Sequence, residues 1–402
     1  MRLIHLPTLT QVAYCGLAID AGTRDEQPEQ YGVAHFVEHM LFKGTRRRRA
    51  WHILNRMEVV GGDLNAYTNK EETVVHAAFM REHLARAVEL IADIVFNSTF
   101  PQTEMERERE VIVEEIDSYR DNPAELIYDD FENTLYDGHA LGHDILGRER
   151  DIRTYTPEDL RAFTRRHYRP ERMTFFVMGD YVPEKVVRIV ERVITPLLPT
   201  VGTETATPPE RQAPMVFGSR GERIERIKHT HQAHVMVGCP AYGSADSRRT
   251  ALYFLNNILG GPGMNSRLNI ALRERRGLVY TVESVLTNYT DTSLFTVYFG
   301  CDPSDVDRCL RLLRRELDVL MQTPLTQRQF DAAMRQIRGQ IGVACDNSET
   351  YALDVAKSFL HYNQSDPAAQ TLRQLAALTP EHVHTVAGEL FHSDNLTTLI
   401  YR

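Results

Sequence analysis

The sequence has few cysteines, no long apolar segment and no excess of basic residues, and each shortage excludes a class of protein. Its five cysteines are scattered and form no C-x-x-C pair, which predicts free thiols in a reducing compartment rather than a disulfide framework. No apolar run approaches the roughly 18 residues that span a bilayer. The N-terminus lacks the apolar h-region of a signal peptide. We therefore expect a cytoplasmic protein without a membrane partner.

The charge balance argues against nucleic acid as a partner. Lys and Arg number 46 against 55 Asp and Glu, so the formal net charge is -9, whereas neutralising phosphates requires a basic surface. Hydrophobic residues make up 42% of the 402 residues. A single core rarely serves more than about 250 to 300 residues. Two domains without a nucleic-acid partner are expected.

The chain is predicted to consist of two related halves. Thr156-Pro157-Glu158, followed by a helical stretch and a short apolar strand, recurs as Thr379-Pro380-Glu381 at an offset of 223 residues (156 to 379). The same offset relates Pro101 to Pro324, and each of these prolines precedes an amphipathic run. The halves are therefore interpreted as duplicated domains.

We expect a catalytic domain over residues 1–200, a linker rich in Pro, Thr and Gly over 201–222, and a degenerate repeat domain over 223–402. Each half has the pattern of a strand, a helix, a pair of strands, several helices and a closing strand. Strands gathered around a block of helices predict an α+β fold. Each domain should have a mostly antiparallel sheet packed on one side by a layer of helices.

Three ionisable residues lie within one apolar segment of helical period. His35 and His39 are four residues apart and share a helical face, which Glu38 borders. Three such groups on a nearly apolar helix would be costly without a partner, and a metal ion supplies one. The order H-x-x-E-H is the inverted form of the zinc-peptidase motif. It predicts two metal ligands and a base, Glu38, for the attacking water; a solvated or structural face is the alternative.

A catalytic zinc ion usually takes three protein ligands, so a third should lie elsewhere. On the helix predicted over residues 103–118, Glu108 and Glu115 share a partly apolar stripe, whereas Glu114 is rotated about 100° away. This predicts Glu115 as the third ligand and Glu108 as a supporting charge. An exposed acidic helix paired with its own arginines is the alternative.

The second half lacks these groups. The 223-residue offset places Arg338 opposite Glu115. Opposite His35, Glu38 and His39 stand Tyr253, Asn256 and Asn257. This pattern indicates an active first half and a supporting second half.

These residues resemble the pitrilysin and insulysin family of inverzincin zinc peptidases, and within it the short, two-domain members related to the mitochondrial processing peptidase. The likeness covers nearly the whole chain and is carried by motifs in both halves. They are His35-x-x-Glu38-His39 with Met40 to Thr45, Gly61-Gly62-x-x-Asn65-Ala66-Tyr67-Thr68, Glu108 with Glu115, Gly260 to Leu268, and Arg273-Glu274-x-x-Gly277-Leu278-Val279-Tyr280.

The resemblance implies one Zn²⁺ per chain, held by His35, His39 and Glu115. Glu38 would be the general base. Glu108 would be a carboxylate that does not bind the metal itself but orients one of its ligands.

The resemblance also implies a peptide or unfolded polypeptide as substrate. Asn65 and Ala66 would lie on a sheet edge that pairs with the substrate backbone. Arg273 and Tyr280 would contact substrate near the scissile bond, where Tyr280 could steady an oxyanion. Longer members enclose a chamber with four such domains, so a homodimer is expected here, with each site built from two chains.

The sequence therefore predicts a zinc-dependent endopeptidase that works in a chamber formed by a dimer. One alternative is a non-catalytic core or assembly subunit on the same fold, in which degenerate ligands would be expected. Another is a peptidase that depends on a different partner chain.

Overall fold

The computed structural model describes residues 1–198, 211–214 and 221–402. They form two compact units, and neither is one continuous stretch of sequence. The first unit comprises Met1–Asp117, His143–Arg211 and Cys345–Pro367, and the second comprises Ser118–Gly142, Gln212–Ala344 and Ala368–Arg402. The linker predicted over 201–222 lies largely outside the described residues.

Ten strands form two sheets of five strands each. The strands are β1 (Arg2–Pro7), β2 (Val12–Ile19), β3 (Asp63–Thr68), β4 (Thr73–Met80), β5 (Met173–Gly179), β6 (Arg223–Arg226), β7 (Ala233–Ala241), β8 (Val279–Asn288), β9 (Ser293–Cys301) and β10 (Thr397–Tyr401).

Helices account for most of the remaining described residues. The α-helices are α1 (Val33–Leu41), α2 (Ala50–Glu58), α3 (Leu84–Phe96), α4 (Gln102–Arg120), α5 (Pro123–Leu135), α6 (Glu149–Ile152), α7 (Pro157–His167), α8 (Pro183–Ile194), α9 (Arg249–Gly260), α10 (Val306–Gln322), α11 (Gln327–Cys345), α12 (Ser348–Tyr362), α13 (Pro367–Ala376) and α14 (Pro380–Leu390). A π-helical segment spans Asn269–Glu274.

The sheet of the first unit has the order β1-β5-β2-β4-β3. All neighbouring strands are antiparallel except β1 and β5, which run parallel. Helices α1 and α3 pack on one face, where Phe36 and Ile91 join Leu17 and Phe175 in a single core. Because β3 is an outer strand, its free edge is available for a further strand.

The opposite face of this sheet is covered by α12, a helix from the C-terminal half of the chain. Val355 and Ala356 of α12 pack against Ala18 and Phe176 of the sheet. All seven residues of β5 are buried, which explains why its sequence, MTFFVMG, does not alternate apolar and polar residues. A strand covered on both faces does not need to alternate apolar and polar residues.

The second unit repeats the plan with the strand order β6-β10-β7-β9-β8, and β6 and β10 are its parallel pair. Here the helix on the second face is α5, from the N-terminal half. Its Ile127 and Phe131 pack against Met236 and Leu399 of the sheet. All nine residues of β9 are buried, for the same reason as in β5.

The predicted α+β class, the duplication and the mostly antiparallel sheets are confirmed. Each unit has the predicted helical layer and, on the other face, one helix contributed by the other half of the chain, which the sequence did not reveal. Among the described residues, no helix combines the length and the apolar character needed to cross a bilayer.

Candidate metal centre

Helix α1 presents the three motif residues on the side that its core contacts leave free. Phe36 and Met40 are fully buried in the core of the first unit. His35 is buried, whereas Glu38 and His39 are partly exposed. The helical period therefore turns the apolar residues toward the sheet and the ionisable residues toward a second helix, α4.

Two imidazoles and one carboxylate converge between α1 and α4. Glu115 Oε2 lies 3.9 Å from His35 Nε2 and 3.5 Å from His39 Nε2. One ligand atom from each residue lies within 4.8 Å of the others, and no other such group of His, Cys, Asp and Glu occurs in the described part of the chain. Two imidazole nitrogens and a carboxylate oxygen form a donor set found in catalytic zinc sites. These residues therefore fit a zinc ion.

Glu108 lies beside this cluster, about two helical turns before Glu115 on α4. Its Oε2 is 3.1 Å from His39 Nδ1, and its Oε1 is 2.6 Å from Lys43 Nζ. A carboxylate in this place favours the imidazole tautomer with hydrogen on Nδ1, which leaves the Nε2 lone pair of His39 to face Glu115. The supporting charge predicted for Glu108 is placed to act in this way.

The two histidines have opposite pKa shifts. Burial lowers the pKa of His35 to about 4, and the charge of His39 acts in the same direction. Burial also tends to lower the pKa of His39, but hydrogen bonds to Glu108 and Glu115 outweigh it and raise this pKa to about 9. The His39 hydrogen bond in turn lowers the pKa of Glu115. A metal ion that bound here at neutral pH would therefore displace a proton held by His39.

Glu38 has a carboxylate oxygen that is free to accept a proton. Its Oε2 is buried and has no hydrogen-bond partner among the described residues. Burial raises the pKa of Glu38, and a hydrogen bond from the Thr68 hydroxyl on β3 partly offsets this rise. A buried carboxylate with an uncommitted oxygen is suited to general-base chemistry.

The residues predicted to bind the substrate backbone lie on the edge strand of the first unit. Asn65 is exposed, pairs in register with His76 of β4, and donates a hydrogen bond to Asp63 Oδ2 at 2.7 Å. Ala66 is partly buried against the core. The free edge of β3 thus carries both residues.

Arg273 and Tyr280 form a neighbouring pair in the second unit. The Arg273 guanidinium carbon lies 5.8 Å from the centroid of the Tyr280 ring, within the usual range of a cation–π contact. The Tyr280 side chain is 81% exposed, so its hydroxyl is open to a ligand. The sequence pattern alone would have placed this tyrosine in the core.

One predicted correspondence between the halves is wrong. Asn257 Nδ2 donates to Gln340 Oε1 at 2.7 Å, so Gln340 of α11, not Arg338, faces the helix equivalent to α1. Helices α4 and α11 begin 225 residues apart, at Gln102 and Gln327, so the 223-residue offset does not hold over this pair. The second unit therefore has a neutral amide pair where the first has His39 and Glu115.

Two supporting residues were quoted in the sequence motifs without a role of their own, Lys43 and Thr68. Lys43 follows His39 by four residues, a spacing that places both on one side of the helix and could have indicated their shared contact with Glu108. No local pattern indicated that Thr68 of β3 would reach Glu38 of α1.

The fold and this cluster define a metallopeptidase with an inverted zinc motif. Residues 3–149 match the insulinase family, peptidase family M16, and residues 154–337 match the peptidase M16 inactive domain. The chain belongs to peptidase family M16, and the resemblance found in the sequence is confirmed.

Relatives and solved structures cover nearly the whole chain. A protein named as an uncharacterized zinc protease from Streptomyces coelicolor is 33% identical over 96% of this chain and 83% of its own length. The mitochondrial-processing peptidase subunit beta of Bos taurus is 31% identical over 94% of this chain and 77% of its own. The crystal structure of a protease from Helicobacter pylori has a TM-score of 0.91 at 23% identity, covering 100% of this chain and 96% of that one, and supports the fold.

Proposed function

We propose that this protein is a zinc-dependent endopeptidase that hydrolyses peptides or unfolded polypeptide segments. The observation that carries the proposal is the convergence of His35, His39 and Glu115 next to the free carboxylate oxygen of Glu38. Membership of family M16 and relatives named as zinc proteases support Zn²⁺ as the cofactor, one ion per chain.

The chemistry divides between the metal and the side chains around it. When bound, zinc polarises the scissile carbonyl and makes the attacking water more acidic. Glu38 takes the proton of that water and passes it to the leaving amine. Thr68 holds the Glu38 carboxylate through its hydroxyl, and Glu108 orients His39 from behind.

The substrate binds in an extended conformation in this proposal. Its backbone adds to the free edge of β3 at Asn65 and Ala66, since an outer strand offers unpaired N–H and C=O groups. Backbone pairing of this kind selects for unfolded segments more than for particular side chains. Arg273 and Tyr280 contact the substrate near the scissile bond, and the Tyr280 hydroxyl donates to the developing oxyanion.

The working form in this proposal is a homodimer that encloses a chamber. The chain carries both the metal centre and the Arg273 and Tyr280 pair, so two copies contain everything needed for two sites. A cytoplasmic location, expected from the five free cysteines, remains a prediction.

A non-catalytic assembly subunit on the same fold is the competing function. The Bos taurus relative is itself named as a subunit, and this name is the observation that favours the alternative. A subunit freed from catalysis would not need to retain three metal ligands, a base and a supporting carboxylate together. Their joint presence in the first unit favours the enzyme.

Metal analysis combined with peptide cleavage tests the proposal. The wild-type protein should contain zinc and cut a set of quenched peptides, and Glu38→Gln should keep the zinc and cut about 10²- to 10⁴-fold more slowly. Glu58→Gln on α2, an exposed glutamate, is the matched control. A zinc-loaded wild type that cuts nothing, or a Glu38→Gln variant that cuts normally, would contradict the assignment.

A further inference from the structure

A fully buried carboxylate holds the N-terminus of α1, the helix that carries the metal motif. Glu26 Oε1 accepts a hydrogen bond from the Ala34 backbone N–H at 2.8 Å, and Oε2 accepts one from the Gly32 N–H at 2.9 Å. The side chain of Glu26 has no solvent exposure. Glu26 therefore pairs backbone donors at the start of α1 that have no partner within the helix.

A buried histidine holds Glu26 from the other side. His143 Nε2 lies 3.0 Å from Glu26 Oε2. Burial lowers the pKa of His143 to about 3, so its ring is neutral and can donate from Nε2. The ring stacks on Tyr31 with centroids 3.9 Å apart, and its backbone carbonyl accepts a hydrogen bond from Lys70. Glu26 is thus held by His143, which is itself held in place by Tyr31 and Lys70.

The backbone at the start of α1 has no room to adjust. Gly32 has φ +88°, a left-handed conformation that favours glycine. A Cβ atom at this position would lie 2.6 Å from the Leu146 carbonyl oxygen and 2.9 Å from Gly147 Cα. The loop that carries His143 therefore also encloses the first turn of the helix.

We propose that Glu26 is a positioning residue for the metal centre, one that anchors the first turn of α1 so that His35 is held at its place opposite Glu115. His35 follows Ala34 directly, so the hydrogen bond to Ala34 fixes the backbone from which the ligand projects. The inference rests on the proposed zinc site and extends it to a residue nine positions before the first ligand.

The test compares zinc affinity and the absorption spectrum of Co²⁺ bound in place of zinc, in the wild type and in Glu26→Gln. Glutamine keeps the size of the side chain but replaces one acceptor oxygen with an amide group that cannot accept from Gly32. We expect zinc affinity to fall about 10- to 100-fold, the usual effect of losing a group that supports a ligand. The Co²⁺ absorption bands should shift because the ligand geometry changes. If Glu26→Gln does not fold, the same measurements are made on Glu26→Asp, which keeps the carboxyl group but shortens its reach.

Thr379→Ala is the matched control, because it removes a helix cap in the second unit, where Thr379 accepts from the His382 N–H. It should lower the melting temperature without changing metal affinity or the Co²⁺ spectrum. Wild-type affinity and spectrum in Glu26→Gln, or equal changes in Thr379→Ala, would overturn the inference and leave the proposed function intact. A wild-type protein that binds no zinc would overturn both.

Discussion

Lys43 Nζ lies 2.6 Å from Glu108 Oε1. Burial alone would raise the pKa of Glu108, but its hydrogen bonds with His39 and Lys43 outweigh burial and lower it. Lys43 is therefore linked to His39 of the proposed metal centre through one intervening carboxylate. A charge at this distance matters because the Glu108 side chain is only 10% exposed and screened little by solvent.

Replacing Lys43 with methionine should weaken zinc binding. The loss of the ammonium leaves Glu108 without the nearer of its two partners and weakens the position of Glu108 against His39. We expect an increase of about tenfold in the zinc dissociation constant, the lower end of the range for groups that support a ligand. Competition with a chromogenic chelator measures it. Lys43→Arg, which keeps the charge, should bind zinc nearly as tightly as the wild type, and equal affinity in Lys43→Met would contradict the role.

Neighbouring glutamates on α4 should respond very differently to the same substitution. Glu115→Gln removes a predicted ligand and should abolish stoichiometric zinc binding and peptide cleavage. Glu114→Gln alters an exposed side chain one residue away and should leave both unchanged. Elemental analysis after gel filtration, followed by a cleavage assay, measures the pair. A zinc-bound, active Glu115→Gln variant would refute the ligand assignment.

Mixed dimers should show whether each site draws on two chains. Glu38→Gln and Tyr280→Phe should each be nearly inactive, since one lacks the base and the other the oxyanion donor. Refolded together in equal amounts, they should recover about a quarter of wild-type activity, because half the dimers are mixed and each has one intact site.

A mixture of Glu38→Gln with His39→Ala is the matched control and should recover nothing, because both changes affect the same metal centre. If the Glu38→Gln and Tyr280→Phe mixture also stays inactive, each site is built within a single chain.

The packing of α12 within the first unit should weaken in acid. Burial tends to raise the pKa of Glu72, but His361 and Lys357 outweigh it and lower this pKa to about 2, against an ordinary value of 4.5. A carboxyl whose pKa is lower in the folded state adds stability above pH 4.5 and loses it as the pH falls toward 2. The shift corresponds to about 3 kcal/mol.

Urea unfolding between pH 7 and pH 2.5 measures this loss. Glu72→Gln should be less stable at neutral pH and show a shallower decline in acid than the wild type. Parallel acid profiles for the two proteins would contradict the role of Glu72.

The parts of the site that lie within a single helix could be predicted from the sequence. Helical period alone chose Glu115 over Glu114, and the structure places Glu115 beside both histidines while Glu114 remains exposed. Helix α1 spans Val33–Leu41, which is where the apolar segment of helical period around His35 and His39 predicted a helix.

Contacts between residues distant in sequence could not be predicted from the sequence. Glu26 and His143 are 117 positions apart, and no periodic pattern connects a loop carboxylate to the backbone of a later helix. For the same reason the sequence did not reveal that α5 and α12 each cover a sheet of the other half, although the mostly apolar, non-alternating sequences of β5 and β9 indicated cover on both faces. A strand that needs no polar side must be covered on both faces.

The exchanged helices set the order in which the protein can fold during synthesis. The first unit contains both histidines and Glu115 long before the ribosome reaches Ser348, yet one face of its sheet stays bare until α12 has emerged. Domains usually fold one after the other as they leave the ribosome. The sheet of the first unit is complete once β5 ends at Gly179, but α12 ends only at Tyr362, so a nascent chain displays an apolar sheet surface to chaperones while the intervening residues are made.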